Sequence, residues 1–175
     1  IEAEIKTVER INIQLKNTMA KYNMKNGVPI MVRNKIVYAV KCDKVPGTPK
    51  ADLALFDKNG KEVVWISYKK GTSAKDFQQW GGITDPVMQS FPQVTDFIAK
   101  MKKRFPKGMK SGESAAMKIM GKNSQLLKKK AVYGVDYEPN APLGRNNVSY
   151  VVQGRLFFKD MGKYYEIDSS NAHSY

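Results

Sequence analysis

Hydrophobic positions recur at spacings of three and four along the first part of the chain, the pattern of a helix with one apolar face. We therefore predict a helix over residues 1–22. Its apolar stripe consists of Ile1, Ile5, Val8, Ile11, Leu15, Met19 and Tyr22. Glu4 falls inside this stripe and Glu9 lies at its edge. A carboxylate there costs free energy unless it is paired, or unless it stays in water near the helix N-terminus.

A different pattern follows, in which β-forming residues alternate with turn residues. We expect a loop at 23–34, a strand at 35–42, and two further strands at 51–57 and 62–69. Asn59-Gly60 separates the last two strands and is typical of a β-hairpin turn. Both faces of this hairpin are apolar, which indicates strands covered on both sides in a layered α/β fold.

The rest of the chain continues to mix helices and strands. We predict a short helix at 74–80, and a second helix that begins at Pro92, a residue favoured at the first helical position. A basic region follows at 106–130, with a short helix indicated by apolar residues at 115–120, and then come strand-like segments at 149–154, 155–160 and 163–168. The predicted organisation is one domain, 1–175, with a core over about 1–100 and a basic, β-rich elaboration over about 106–175.

Composition narrows the class of protein. The chain has 175 residues and is 42% hydrophobic, enough for one domain with a core. No apolar run approaches the roughly 18 residues of a membrane-spanning helix, and no secretory signal pattern is visible. Cys42 is the single cysteine, which excludes an internal disulfide and a Cys/His zinc cluster. We expect a cytoplasmic setting, in a host cell or a virion.

Charge indicates the partner. Lys and Arg number 30 against 16 Asp and Glu, a net charge of +14. Such an excess favours a polyanionic partner, most often nucleic acid, although a solvated lysine-rich surface is the alternative. The basic candidates for DNA contacts are Lys70, Lys102, Lys103, Arg104, Lys128, Lys129 and Lys130. A loop containing Arg145, Asn146 and Asn147 is a further candidate.

The hairpin also carries polar residues that could act together. If Asn59-Gly60 forms a two-residue type I′ turn, Asp52 lies opposite Ser67, with Lys69 on the same face. A three-residue turn with a glycine bulge would instead place Asp52 opposite Ile66, unless the bulge restored the facing. The alternative interpretation is structural: Asp52 at a loop edge, Ser67 as a bonded core hydroxyl, and Lys69 facing solvent.

A carboxylate, a hydroxyl and an ammonium group together suit phosphodiester hydrolysis. The carboxylate can hold a divalent metal, which polarises the phosphate and lowers the pKa of a bound water. The ammonium group can orient or deprotonate that water, or stabilise charge in the transition state. Mg²⁺ keeps several waters, so one or two carboxylates suffice.

Asp52, preceded by Pro49-Lys50-Ala51 and followed by a strand that ends Ser67-Tyr68-Lys69, resembles the PD-(D/E)XK nuclease superfamily. The order of predicted elements over residues 1–80 is also similar. The resemblance implies a restriction-endonuclease-like α/β/α sandwich with a mixed central sheet. It also implies a DNA endonuclease that depends on Mg²⁺ or Mn²⁺, in which Asp52 binds the metal and Lys69 positions or activates water.

The sequence departs from this family at one position, because Ser67 stands where the motif has an acid. Some restriction enzymes of the superfamily use Ser-X-Lys and recruit a carboxylate from elsewhere. The resemblance makes Glu9, on the first helix, the leading second metal ligand, ahead of Glu4 and Asp76. Ser67 would then contact a residue that binds the metal, or a water on the metal. Gln79, or its neighbour Gln78, would support the water or a phosphate.

Two other functions stay open. Ser67 favours a non-catalytic nucleic-acid-binding or virion structural protein that keeps a nuclease scaffold. An RNA-binding domain is less favoured, because no aromatic-rich RNA-recognition motif is visible. The resemblance also allows a homodimer, since related enzymes often dimerise to cut two strands. The small size and basic charge suit a phage or mobile-element enzyme.

Overall fold

The computed structural model describes residues 2–69, 85–108 and 121–171. Its helices are α1 (Glu2–Tyr22), α2 (Pro86–Gln89), α3 (Pro92–Arg104) and α4 (Ser124–Tyr133). Its strands are β1 (Val28–Val32), β2 (Lys35–Ala39), β3 (Lys41–Lys44), β4 (Leu53–Phe56), β5 (Glu62–Lys69), β6 (Tyr150–Asp160) and β7 (Tyr165–Asn171). None of the helices in these ranges is long and apolar enough to cross a membrane.

The strands form one mixed sheet in the order β2-β1-β7-β6-β5-β4-β3. The β1–β7 and β5–β6 pairs are parallel, and the other pairs are antiparallel. The two edge strands, β2 and β3, are consecutive in the chain and are joined at Val40, so the sheet curves until its edges meet there. The mixed α/β class agrees with the prediction, whereas the single strand predicted at 35–42 is wrong.

Strand β1 falls where a loop was expected. Pro29 lies inside it and cannot donate a ladder hydrogen bond, which normally confines proline to edges and strand starts. Here the parallel pairing of β1 with β7 is limited to Ile30 and Tyr165, so the missing donor is tolerated. The turn indicated by Asn26-Gly27 is present, and it ends before β1 begins.

Helix α1 covers one face of the sheet. Ile11 and Leu15 are fully buried and pack with sheet residues such as Leu53 and Ile66. The side chain of Asn12 is bonded to Cys42 on edge strand β3, because its amide donates to the Cys42 carbonyl at 3.0 Å and its oxygen accepts the Cys42 N–H at 2.7 Å. The helix therefore covers an edge that would otherwise expose unpaired backbone groups.

The hairpin strands are covered on both faces, as predicted. Leu53 and Leu55 belong to the core cluster under α1, whereas Ala54 belongs to a second cluster with Val148. Tyr133, the last residue of α4, packs against this second cluster. These contacts are compatible with a restriction-endonuclease-like arrangement, and the three-layer sandwich stays a prediction.

The C-terminal strands lie in the middle of the sheet. The segments predicted as 149–154 and 155–160 form one strand, β6, with an irregularity between Gln153 and Leu156 that contains Gly154. Because β6 pairs in parallel with β5, the expected elaboration is a central part of the sheet. The turn predicted at Met161-Gly162 is confirmed, since the Met161 N–H donates to the Tyr164 carbonyl at 2.9 Å.

The helices after the hairpin form a separate apolar cluster. Helix α3 begins at Pro92, as predicted, and buries Val94 and Phe97. These side chains pack with Leu127 and Ala131 of α4, a helix that the sequence analysis did not predict. The helices predicted at 74–80 and within 106–120 lie outside the described residues, apart from the exposed loop up to residue 108.

Candidate functional site

The hairpin turn sets the position of Asp52. The Asp57 N–H donates to the Lys61 carbonyl, and Gly60, at φ 79°, donates to the Asp57 carbonyl. The loop is therefore the three-residue type with glycine in the left-handed region, and the two-residue turn is wrong. A register shift between Phe56 and Leu55 follows, after which Leu53 pairs with Ile66. The shift restores the register that the two-residue turn would have produced.

Asp52 binds the strand on both sides of Ser67. Its backbone N–H donates to the Ile66 carbonyl at 2.8 Å, and its carboxylate Oδ2 accepts the Tyr68 N–H at 2.7 Å. The Asp52 carboxylate thus accepts a backbone hydrogen bond that a carbonyl of a neighbouring strand would otherwise accept. Ser67, between these two contacts, is only 1% exposed. The predicted neighbours Asp52 and Ser67 are brought together at the end of the hairpin.

A cleft of about 380 Å³ opens at this point, and the predicted residues line it. Asp52, Ser67 and Lys69 are all on its wall. Other lining residues come from the start of α2, the end of α4 with the residues that follow it, and the loop before β6: Asp85, Pro86, Lys130, Gly134, Val135 and Asn146. A concave site with a few convergent polar groups is typical of ligand binding.

Opposing effects act on the pKa of the Asp52 carboxyl, and their net result is to raise it. Burial raises the pKa of the Asp52 carboxyl, and the Tyr68 amide lowers it. Glu4 raises this pKa further, while Lys69 and Lys50 lower it. A bound cation would favour the charged form of this partly buried carboxylate.

Lys50 is a site residue that the sequence analysis did not single out. Its Nζ donates to the Ala131 carbonyl at 2.8 Å, at the end of α4, and its backbone N–H donates to Asn146 Oδ1 at 3.1 Å. Its side chain lies within hydrogen-bond reach of Lys69. Burial, followed by the charge of Lys69, lowers the pKa of Lys50 to about 8. The only sequence signal for Lys50 was its place two residues before Asp52.

The first-helix carboxylate near this site is Glu4. Helix α1 runs along β3, so that Asn12 reaches Cys42 and, two turns earlier, Glu4 pairs with Lys44 at 3.7 Å. On an ideal helix Glu4 lies about 20° from the buried Ile11, and Glu9 about 160° away. Glu9 is exposed. Of the two first-helix carboxylates, Glu4 is therefore the one on the side of α1 that packs against the sheet.

The donor set is small for a metal site. Within residues 2–69, 85–108 and 121–171, no three His, Cys, Asp or Glu side chains group as metal ligands. Mg²⁺ is nevertheless often held by one or two carboxylates and several waters. Asp52 Oδ1, with the nearby Glu4 carboxylate, fits that chemistry, because Oδ2 is the oxygen that takes the Tyr68 N–H.

The predicted DNA contacts differ in exposure. At the end of α3, Lys102, Lys103 and Arg104 are exposed, as is Lys129 on α4, and Lys128 is half-buried. These side chains are available to a polyanion. Lys70 and Gln79 lie outside the described residues, as do Asp76 and Gln78.

Lys130 differs from these exposed candidates, because its side chain is buried. Its Nζ donates to the carbonyls of Val135 at 3.0 Å and Tyr137 at 2.8 Å, and pairs with Glu138 at 3.1 Å. Its side chain is only 7% exposed, since position 130 is on the face of α4 that packs inward with Leu127. Lys130 therefore holds the segment after α4 in place, through three partners within the protein.

The 145–147 loop is also structural. Arg145 forms a two-point ion pair with Glu62, with nitrogen–oxygen distances of 3.0 and 2.9 Å. Asn147 is buried, and its amide donates to the Pro142 carbonyl at 2.9 Å. Asn146 accepts the Lys50 N–H. These contacts fix the loop beside the cleft, whose wall includes Asn146.

A mixed α/β fold with a carboxylate, a buried serine and lysines at one cleft is compatible with the restriction-endonuclease-like class of nucleases. The chain is similar to the type II restriction enzyme CviJI of Paramecium bursaria Chlorella virus IL3A, with 31% identity over 128 residues. The match covers 69% of this chain, but the chain spans only 33% of the length of that enzyme. No protein-family model and no solved structure matches the chain.

Proposed function

We propose that the chain forms the nuclease portion of a Mg²⁺-dependent DNA endonuclease of the PD-(D/E)XK type. The observation that carries the proposal is the meeting of Asp52, Ser67 and Lys69 at one cleft, in a chain similar to a type II restriction enzyme. The net charge of +14 supports a DNA substrate, because phosphate neutralisation supplies most non-specific affinity.

Each residue has a role that its contacts support. Asp52 is fixed by the Tyr68 amide, so its carboxylate is pre-oriented at the cleft. Lys69 ends β5 at the same cleft, where its ammonium group orients the attacking water and stabilises negative charge as the phosphorus–oxygen bond breaks. Ser67 is buried between them, and its hydroxyl occupies the position where the motif has an acid.

Asp52 and Glu4 would hold the metal ion, with Ser67 near its water. When bound, Mg²⁺ supplies polarisation of the phosphate and a more acidic water. Glu4 takes the part expected of Glu9, because Glu4 acts on Asp52 and Glu9 is exposed. The exposed cations on α3 and α4 would contact the DNA backbone without reading its sequence.

The second candidate is a non-catalytic nucleic-acid-binding protein on the same scaffold. Ser67 in place of the acid favours it, as does the lack of a three-residue ligand group among the described residues. In that case the cleft would bind the DNA backbone and cleave nothing. A homodimer and a phage or mobile-element source are compatible with both candidates.

Cleavage of plasmid DNA separates the two functions. Wild-type protein is incubated with supercoiled plasmid and Mg²⁺ or Mn²⁺, beside Asp52→Ala, Lys69→Ala and the control Lys61→Ala in the exposed turn. We expect nicked and linear DNA from wild type and the control, and a loss of at least about a hundredfold in each site variant. If wild type binds DNA but neither it nor any variant cleaves the plasmid, only the binding function remains.

A further inference from the structure

Lys50 and Lys69 place two amino groups side by side on the wall of the cleft. Lys50 lies in the connection before β4, and Lys69 is the last residue of β5. Both line the cleft, and their side chains lie within hydrogen-bond reach of each other. Two ammonium groups at that separation repel each other, and the repulsion is strengthened where water is partly excluded.

The pair does not relieve this repulsion by moving apart, because Lys50 is held at both ends. Its backbone N–H is bonded to Asn146 and its Nζ to the Ala131 carbonyl. These contacts bring in two segments, the end of α4 and the 144–147 loop, that are distant from β5 in the chain. Three parts of the fold thus cooperate to keep the Lys50 amino group beside Lys69.

The other charged groups of the cleft do not neutralise this pair fully. Three lysines and two aspartates among the described residues line the cleft, and Asp85 is held at the N-terminus of α2 by the Val87 N–H at 2.9 Å. Lys130 is itself a cation, paired with Glu138, and relieves none of the repulsion. Asp52 attracts Lys50, but its effect on the pKa of Lys50 is smaller than the effects of burial and of Lys69. An added anion that contacts both amino groups would remove the repulsion.

We propose that Lys50 and Lys69 form a two-lysine clamp that binds one phosphate group of a nucleic-acid backbone. The inference rests on the proposed function and extends it, because it adds Lys50 as a second residue that contacts substrate. Lys50 and Lys69 would donate to non-bridging oxygens of the same phosphate, and the Ala131 carbonyl would keep the Lys50 donor aimed at it. A tetrahedral dianion such as inorganic phosphate offers the same oxygens.

The test is a titration of the full chain with inorganic phosphate, without metal, followed by calorimetry or NMR. The proteins are wild type, Lys50→Gln, Lys50→Arg, Lys69→Met and the control Lys61→Met. Lys50→Gln keeps an N–H donor for the Ala131 carbonyl but removes the charge. We expect Lys50→Gln and Lys69→Met each to weaken phosphate binding by about tenfold or more, and Lys50→Arg to retain most of it.

Thermal unfolding of each variant shows whether the fold is intact, and Lys69→Met keeps the test valid if Lys50→Gln does not fold. Unchanged phosphate affinity in Lys50→Gln or in Lys69→Met, or no phosphate binding by wild type, would refute the clamp. Phosphate binding that depends on Lys50, in a protein that cuts no DNA, would support the clamp and refute the endonuclease. DNA cleavage by wild type, with unchanged phosphate affinity in Lys50→Gln, would support the endonuclease and refute the clamp.

Discussion

Glu4 of the first helix acts on Asp52 of the hairpin, because its carboxylate helps to raise the pKa of Asp52. Helix α1 runs along β3, and Glu4 pairs with Lys44, the strand residue that pairs with Leu53. The helix thereby brings a second carboxylate toward Asp52, the leading candidate metal ligand.

This relationship predicts different effects for the two first-helix carboxylates. Glu4→Gln should lower the Mg²⁺-dependent cleavage rate by about a hundredfold, because it removes one of two candidate metal ligands. Glu9→Gln should leave the rate near that of wild type, since Glu9 is exposed. The measurement is the initial rate of plasmid nicking as a function of Mg²⁺ concentration.

Asp85→Asn is the matched comparison, because Asp85 is a second carboxylate on the wall of the cleft and caps α2 through the Val87 N–H. Its loss should not change the Mg²⁺ concentration for half-maximal rate. If Glu9→Gln or Asp85→Asn impaired cleavage more than Glu4→Gln did, the assignment of Glu4 would be wrong.

Lys129 and Lys130 are neighbours in sequence and should behave oppositely. Lys130→Met should destabilise the fold by about 2–4 kcal/mol, because it leaves the Glu138 carboxylate and two carbonyls without their buried partner. Lys129→Met should weaken DNA binding with little change in stability, since Lys129 is exposed. Urea unfolding and DNA titration at fixed salt measure the two effects. Equal stability of both variants would contradict the structural role of Lys130.

Local patterns were enough to predict the elements that carry strong signals. The apolar stripe of α1, Pro92 at the start of α3 and the hairpin around Gly60 all depend on short-range chemistry. The same patterns misplaced the strands around Val40, because the sequence does not show that neighbouring strands lie at opposite edges of one sheet. Sheet order depends on contacts between distant segments, which periodicity does not record.

The site residues that lie close together in the chain could likewise be predicted from local sequence. Asp52, Ser67 and Lys69 lie on one hairpin, so turn geometry could bring them together. Lys50 was not predictable as a site residue, because its position depends on Ala131 and Asn146, which are far away in the chain. The buried contacts of Lys130 were not predictable for a related reason: its carbonyl partners follow α4 in a loop that has no sequence signature.

Gly134 should be intolerant of a side chain. It has φ 124°, and a Cβ there would collide with the Asn146 carbonyl group. Gly134→Ala should therefore cost more than about 3 kcal/mol of folding free energy, because backbone, not a flexible side chain, must move. Gly60→Ala is the control, since Gly60 has φ 79° and open space around it, and should cost about 1–2 kcal/mol. Similar losses in chemical denaturation would show that the Asn146 contact is unimportant.

Cys42 should be an unreactive thiol in the folded protein. It is 3% exposed, and burial, with a smaller contribution from Asp43, raises its pKa from 9.0 to about 12. At pH 8 the thiolate fraction should fall by about a thousandfold relative to an ordinary cysteine, and labelling by a disulfide reagent should be slow. The control is the same protein in denaturant, which should react at once.

The same shift makes folding stability depend on alkaline pH. Between pH 9 and 12 the unfolded chain loses the Cys42 proton while the folded chain keeps it, so the unfolded state is favoured as pH rises. The loss should approach about 1.4 kcal/mol per pH unit within that window and be absent below it. Cys42→Val removes the titrating group and should flatten this part of the profile relative to wild type. An identical decline in both proteins would assign the alkaline loss to other groups.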